Sequence, residues 1–455
     1  MKKTVFLFIP HFVFSSDLLR TDFIKLLSEK FKVVVFSPIF LNNLSASYYK
    51  NSDIEYVYYD AERPSFWLFF TRTLRISMIR EFDDLEYFKL RQLTKANLNW
   101  QRKLLRKISW FIPKRFLTAD FFTKLEELFS LKSSKFFDYV KKYSPELILT
   151  CTPGFSAMEA EIIVLSKKIN IKTVAINSSW DNYISNATQF RKTDYLFCWN
   201  PVMKREAIKI HKYEPENVFV SGIYRFDHHF KDNSKDISKE DFLIKKGLDP
   251  KLKTILLCTL PPNTYPPQYG IWKRIVEMRN EGKFSQDVNI FFRLHPNDFI
   301  EKYKYFIGIK NVHIDLAGKP MSRLAGSGHK IEMDDSDLDN LRYSLKYTDV
   351  NLNFRSSLTL EAAIYKKPII NLALEGYANR YNVDWYKPIV KDIKFVESEK
   401  ELINAINFCL KNENSDSFDY SDIIKNYVGF LDGGSSKRSV CFVDDIVKKN
   451  REKNR

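Results

Sequence analysis

Short apolar runs that do not alternate with polar residues constrain this chain more than any other feature. In the first half they fall at residues 4–9 (TVFLFI), 32–37 (KVVVFS), 147–150 (LILT), 172–176, 194–199 and 218–221. Each is short for a helix, and an apolar run without alternation reads as a strand buried on both faces, the pattern of a parallel sheet covered by helices. Amphipathic stretches separate them, at residues 17–29, 157–168 and 202–210, so the chain opens as a doubly wound α/β domain. The second half repeats the plan, with strands at residues 254–258, 289–293, 312–315, 349–354 and 368–373. Helices are expected near 270–279, from a Ser336 cap to 346, and over 358–365. At 455 residues the chain exceeds one ordinary core, and two domains of roughly 200 residues each follow. The first is expected over 1–230 and the second over 240–434, joined by the polar stretch 228–239. A last helix, 435–455, is expected to pack back on the first domain.

Charge narrows the partners. Lys and Arg number 72 against 56 Asp and Glu, a formal +16, which favours nucleic acid, an anionic membrane surface or phosphorylated substrates. Basic residues interleave with aromatic ones in a region that breaks the sheet rhythm, about 64–129: Trp67, Phe69, Phe70, Arg72 and Arg75, then Trp100, Arg102, Lys103, Arg106, Lys107, Trp110, Lys114 and Arg115. Over 100–112 the apolar residues share one helical face and the basic ones the other, as in a helix lying on an anionic bilayer; an ordinary core-facing helix with a solvated back has the same pattern. No nucleic-acid-binding motif accompanies it, so nucleic acid is not expected as a partner. No run reaches the ~18 apolar residues of a spanning helix. The amino-terminal run is short, is broken by Pro10 and His11 and lacks a small-residue cleavage site, so it reads as a first strand rather than a signal peptide. Five scattered cysteines argue against a disulfide framework or a zinc site and fit a reducing compartment.

The candidate chemistry lies at strand ends in the second half. The run FFRLHPND stops at a His-Pro step, and Pro296 holds His295 out of helical geometry at the carboxyl end of its strand, where open α/β sheets bind ligands. A second strand ends in Arg355, Ser356 and Ser357 and opens a helix whose first N–H groups can cradle a phosphate. The two ends are expected about one sheet position apart. His295 can then donate to a phosphoryl oxygen while Arg293 adds charge, and Glu361, one turn past Ser357, can accept from ribose hydroxyls. Thr259 opens a Pro-rich loop, 259–269, expected to wall the nucleotide pocket. The plainer readings are a loop histidine, a serine cap and a glutamate complementing the helix dipole. The acidic run 333–339 sits at a helix start and lacks the spacing of a calcium loop, so no metal is expected.

Two doubly wound halves, the His-Pro step and the pattern S-S-x-T-x-E-A-A-x-x-x-K-P at 356–368 resemble the GT-B glycosyltransferases. The chain looks like the branches with CMP or CDP donors: sialyl- and polysialyltransferases, Kdo transferases and CDP-glycerol glycerophosphotransferases. Residues 222–227 (GIYRFD) and 432–438 (DGGSSKR) also resemble features of surface-polysaccharide enzymes. The resemblance implies two Rossmann-like domains facing a central cleft, donor-phosphate contact by His295 and phosphate binding by Ser356 and Ser357. It implies no cofactor beyond a nucleotide-activated sugar as co-substrate. The acidic base motif of the sialyltransferases has no counterpart, so the base is a choice among His11, Asp17 and Asp181, each just past a strand end. Asp181 is favoured because residues 178–182 pack Trp, Asp and Asn into one loop. An Asx turn at Asp181 and a helix cap at Asp17 are the competing readings.

The expectation is therefore a cytoplasmic glycosyltransferase, peripheral on the inner membrane, moving a sugar from a nucleotide donor to a glycan or lipid-linked acceptor of a capsule or lipopolysaccharide. A polyol-phosphate transferase and a nucleotide-sugar 2-epimerase fit the same scaffold. A non-enzymatic anion-binding protein is the reading from another class.

Overall fold

The computed structural model describes residues 2–42, 49–61, 64–75, 78, 104, 107, 111, 113, 116, 118–130, 135–177, 179–180, 182–232, 234, 236–262, 265–320, 331–354, 356–374, 393–412 and 418–453. It divides into unit 1, residues 1–225 with 434–455, and unit 2, residues 226–433.

Unit 1 is built on seven strands, β1 (Thr4–Phe8), β2 (Lys32–Ser37), β3 (Ile54–Tyr58), β4 (Leu147–Thr150), β5 (Thr173–Ile176), β6 (Tyr195–Cys198) and β7 (Val218–Val220). Their order is β3-β2-β1-β4-β5-β6-β7, and every pairing is parallel. The chain leaves the central β1 toward β3 and returns to β4 on β1's other side, so the topological switch lies between β1 and β4. The apolar runs serve both faces: Phe6, Phe8, Val34, Phe36 and Ile148 are fully buried on one, with Phe8 stacked on Phe36 at 4.7 Å, and Val5, Leu7, Val33 and Val35 are fully buried on the other. β3 is an edge strand of the alternating sequence IEYVY, half-exposed along most of its length, which is why a search for continuous apolar runs passes over it.

The stretch read as one helix over 17–29 is two, α1 (Phe12–Leu18) and α2 (Asp22–Lys30). Thr21 turns the chain between them: its Oγ1 accepts from Phe23 N and donates to Asp17 O at 2.7 Å. Asp17 is therefore not a helix cap; it sits in the last turn of α1. After β4, a capping box starts α3 (Ala157–Lys168). Ser156 Oγ accepts from Glu159 N, and the fully buried Glu159 carboxylate accepts from Thr152 N at 2.7 Å and Ser156 Oγ at 2.9 Å. Burial pushes Glu159 up to about 7 against the pull of those bonds.

Unit 2 holds β8 (Lys253–Cys258), β9 (Val288–Arg293), β10 (Val312–Asp315), β13 (Val350–Asn353), β14 (Ile369–Leu372) and β15 (Lys394–Val396) in one parallel sheet, plus a short antiparallel pair, β11 (Lys319–Pro320) with β12 (Ile331–Glu332). The sheet order β10-β9-β8-β13-β14-β15 places the switch between β8 and β13. The helix Asp335–Tyr347 is capped by Asp334 in a capping box with Asp337, not by Ser336, whose hydroxyl donates to Asp334 instead. The helix α4 (Leu358–Ile364) follows β13.

The last helix, α5 (Ser435–Lys453), belongs to unit 1. Phe442 lies 4.5 Å from Phe219, and Lys30 pairs with Asp444 at 2.8 Å. Its start meets the end of β7: Arg438 Nε donates to Ser221 O at 3.0 Å, and Gly222, at φ +91°, leaves no room for a Cβ against Ser435 Oγ. The two short segments that stand far apart in sequence, 222–227 and 432–438, are thus packed together at this point. All five cysteines are free thiols, and four are buried. No helix among the described residues is long and apolar enough to cross a membrane.

Candidate functional site

In unit 2 the sheet's carboxyl edge gathers the ends of β9, β8 and β13. β8 lies between the other two, so His295 and the serine pair are two sheet positions apart, roughly 10 Å at the usual strand spacing, with Thr259 in the middle. The one-position separation expected from the sequence is corrected accordingly. Thr259 has a defined task there, since its Oγ1 accepts the His295 N–H at 2.8 Å.

The His-Pro turn is held from several sides. Asp298 N donates to His295 O at 2.7 Å, and the buried Asp298 carboxylate accepts from Tyr303 Oη at 2.7 Å, Tyr269 Oη at 2.9 Å and Phe299 N at 2.9 Å. Burial, and then the Asp298 charge, hold the Tyr303 phenol far above its usual range, so it remains a donor. Asn297 N donates to His295 Nδ1 at 3.0 Å. A neutral imidazole that accepts at Nδ1 carries its proton on Nε2, so this bond makes Nε2–H the donor of the half-buried ring.

Arg293 takes a different place from the one expected. It is 4 % exposed and pairs with Asp315 on the neighbouring β10, whose carboxylate also takes Lys246 at 2.6 Å and Asn340 Nδ2 at 2.8 Å. Burial pushes the Asp315 carboxyl up, but His313 at 3.8 Å and the charges of Arg293 and Lys246 outweigh it and hold the group well below the carboxylate range. Arg293 thus stiffens the strand end with its charge already met by a carboxylate.

The Ser356–Ser357 turn is shaped by the buried Asn353, whose Oδ1 accepts from Ser356 N at 3.3 Å and Thr359 Oγ1 at 3.0 Å. Ser356 Oγ accepts from Leu358 N at 3.2 Å, while the Ser357 side chain makes no cap bond although Ser357 precedes α4. Glu361 is 3 % exposed, and its Oε2 meets His229 Nε2 at 3.0 Å. Asn353 and His229 were not singled out in the sequence. The signal for Asn353 was present, two asparagines in alternation inside an otherwise apolar strand; His229 carries no local signal. Arg355 lies outside the described residues.

Unit 1 carries its own small crevice at the carboxyl edge, lined by Asp17, Cys151, Asn177, Trp199 and Tyr224 among others. Arg225 lies 3.6 Å from Asp17 and 5.0 Å above the Trp199 ring, fixing the carboxylate beside an aromatic wall. His11 is the residue before α1, half-buried, with its ring 6.1 Å from Phe14, itself on the crevice wall. Asp181 lies outside the described residues, although its loop is anchored on either side: Trp199 Nε1 donates to Asn177 O at 2.8 Å, and Asn182 Nδ2 to Asn177 Oδ1 at 3.1 Å.

No family model and no curated protein matches the chain. Solved structures do match. A protein from Listeria monocytogenes assigned as a UDP-N-acetylglucosamine 2-epimerase is 13 % identical at TM-score 0.55, covering 99 % of this chain and 98 % of its own. The UDP-GlcNAc 2-epimerase of Methanocaldococcus jannaschii gives 14 % and 0.53 over 98 % and 99 %. That of Neisseria meningitidis, bound to UDP-GlcNAc, gives 12 % and 0.52 over 98 % and 100 %. The fold is GT-B-like. The likeness runs the length of both chains, including the seven- and six-stranded parallel sheets, and at these identities it is a likeness of fold.

Proposed function

We propose that the chain is a glycosyltransferase that moves a sugar from a nucleotide-activated donor to a glycan or lipid-linked acceptor in surface-polysaccharide assembly. The observation that carries this reading is the grouping, on one sheet edge of unit 2, of the His295 Nε2–H donor, the Ser356–Ser357 turn and the buried Glu361. These are the three chemistries a nucleotide requires: N–H and O–H donors for phosphoryl oxygens and a carboxylate for ribose hydroxyls. Thr259 and Pro296 hold the histidine, Arg293 stiffens its strand end, and Arg355 is proposed to add charge toward the phosphate. In the transfer step the acceptor oxygen bonds the anomeric carbon as the bond from that carbon to the phosphoryl oxygen breaks. The acceptor proton passes to a base, for which Asp17 and His11 are the candidates among the described residues and Asp181 is the third. His295 and the serine turn stabilise the charge left on the departing nucleotide.

A nucleotide-sugar 2-epimerase is the second reading, favoured by the three fold relatives that carry that name. One experiment addresses both. In a thermal-shift panel of CMP, CDP, UDP, GDP and dTDP, at least one nucleotide at about 100 times its Kd is expected to raise the melting temperature by roughly 5–10 °C. A panel without a shift sinks the donor reading. Incubating the sugar donor of the responding nucleotide alone then separates the classes: a transferase leaves it intact, whereas an epimerase inverts its sugar without any acceptor.

The same reading places the enzyme on an anionic membrane surface at the cytoplasmic face. Its support among the described residues is the helix Phe66–Leu74, which exposes Phe66 (70 %), Trp67 (57 %) and Phe69 (48 %). Arg75, taken with this basic and aromatic set in the sequence, is instead buried on Glu126, and of the proposed helix with Trp100, Arg102, Lys103, Arg106, Lys107 and Trp110 only Lys107, which is exposed, lies among the described residues. Replacing Phe66, Trp67 and Phe69 with serine is expected to lower co-sedimentation with phosphatidylserine vesicles at least about tenfold, since inserting even one such aromatic ring into the bilayer surface contributes about 1.5 kcal/mol or more. Unchanged sedimentation removes the membrane from the proposal.

A further inference from the structure

The pattern at 356–368 has two ends, and the candidate donor site uses only the first. Its serines lie at the carboxyl edge of the unit 2 sheet, while α4 carries the chain back to the amino edge, where Lys366, Lys367 and Pro368 lead into β14. β8, β13 and β14 are neighbours, so Lys253 at the start of β8, Asp349 just before β13 and this Lys-Lys-Pro step stand side by side along that edge. They line a cavity of about 80 Å³, whose wall is continued by Cys409 and Leu410 from the end of the helix Glu399–Lys411. A single water needs about 10–15 Å³, so the space has room for an ion of several heavy atoms.

The charge around this cavity is unbalanced. Three lysines line it against one carboxylate, and Asp349 is already engaged: Oδ1 takes Lys239 at 3.0 Å, and Oδ2 accepts from Thr254 N at 2.8 Å, tying β13 to β8. Lysines beside helix ends ordinarily complement the last carbonyls. Here the side-chain amines of the exposed Lys366 and the half-buried Lys367 make no hydrogen bond or ion pair among the described residues. Burial pushes the Lys367 amine below its ordinary range, and Lys239 and Lys253 add to that against the pull of Asp349. Lys366 stands at φ +51°, a left-handed position that glycine fills at least cost, so the backbone gives no reason for a lysine there.

We propose that this amino-edge cavity is a second anion site, which takes a phosphoryl dianion between the amines of Lys366 and Lys367, with Lys253 completing the wall. Three ammonium groups against one carboxylate leave an excess of two positive charges, the charge of a phosphate dianion, and an anion seated there relieves the repulsion among the lysines. The site lies at the opposite end of the strands from His295 and the serine turn, so it stands independently of the donor reading.

The test is lysine acetylation footprinting by mass spectrometry on the full chain, with inorganic phosphate compared with chloride at matched ionic strength. The pH is about 8, above the second ionisation of a phosphoryl group at about 6. Phosphate is expected to slow acetylation of Lys366 and Lys367, to leave the exposed Lys304 and Lys400 unchanged, and to be matched by sulfate but not by acetate. In Lys366→Gly, which suits the left-handed backbone and keeps the fold, the phosphate concentration for half-protection of Lys367 is expected to rise about tenfold, the loss of one hydrogen bond between charged groups. Lys367→Gln is expected to do the same to the protection of Lys366. Equal acetylation with and without phosphate, protection by acetate as strong as by phosphate, or a half-protection concentration unmoved in Lys366→Gly overturns the proposal in favour of ordinary solvated lysines.

Discussion

Replacing His295 with alanine is expected to lower turnover about 10²–10³-fold with the fold intact, the loss that follows removal of one preorganised donor from a developing anion. The size of the effect follows from how little freedom the ring has. Its backbone N–H is held by Thr259, its carbonyl by Asp298 N, and its Nδ1 by Asn297 N, so Nε2–H is aimed by three bonds formed before any substrate arrives. Such a donor does not have to reorganise as charge builds on the leaving phosphate. Glutamine can place an amide N–H near the position of Nε2, so His295→Gln is expected to recover about tenfold over alanine, in line with a donor restored in imperfect geometry. Asparagine reaches only the position of Nδ1, so His295→Asn should resemble alanine. Turnover is measured with the donor that the nucleotide panel selects. An alanine variant within threefold of wild type, melting at the same temperature, would remove His295 from the mechanism.

What could be read from the sequence follows a physical divide. The central strands announce themselves because burial on both faces demands unbroken apolar runs, as in KVVVFS and FFRLHPND, and the His-Pro step was legible because proline restricts its neighbour locally. Edge strands β3 and β15 lack that demand and were missed; β3 alternates, with most of its residues half-exposed. The split between α1 and α2 depends on one threonine bonding both ways, which helical periodicity does not encode. Strand order also escaped the sequence: nothing in FFRLHPND or in Arg355–Ser357 tells that β8 runs between them. The residues that set the site's geometry at long range, His229 on Glu361 and Arg293 on Asp315, are pairs whose members look ordinary until the fold unites them.

Exchanging Glu126 for glutamine is expected to destabilise unit 1 by about 3–5 kcal/mol, the cost of leaving buried charge unpaired. Glu126 is 0 % exposed, on the helix Ala119–Phe129, and its carboxylate takes Arg191 through Nε at 2.7 Å and Nη2 at 2.9 Å, a bidentate pair, with Arg75 Nη1 at 3.4 Å. Arg75 is 2 % exposed, and burial together with the nearby Arg191 pushes its guanidinium down to about 9 against the pull of Glu126. A guanidinium keeps its proton in proteins, so this tension is borne as a cost in stability that Glu126 largely offsets. Without the carboxylate, Arg75 and Arg191 repel each other in the interior, and the melting temperature is expected to fall by roughly 6–20 °C. The pH profile carries the sign of the effect. Burial pushes the Glu126 carboxyl up, but Arg191 and Arg75 outweigh it and hold the group below its ordinary 4.5, so its contribution is present above that value and is lost as pH falls through the folded-state pKa. The gap between wild type and Glu126→Gln should therefore be largest near neutral pH and narrow in acid below about 4.5; a gap that stays constant with pH would refute the ion-pair account. The same residues reach the unit 1 crevice. Arg191 Nη1 donates to Gly154 O at 2.7 Å and Arg191 N to Pro153 O at 2.8 Å, so Glu126, through Arg191, fixes the turn that follows β4 and carries Cys151 on the wall of the unit 1 crevice. Replacing Arg191 with methionine alongside Glu126→Leu removes both charges of that bidentate pair and should recover part of the stability, while leaving the Pro153–Gly154 turn without its side-chain anchor.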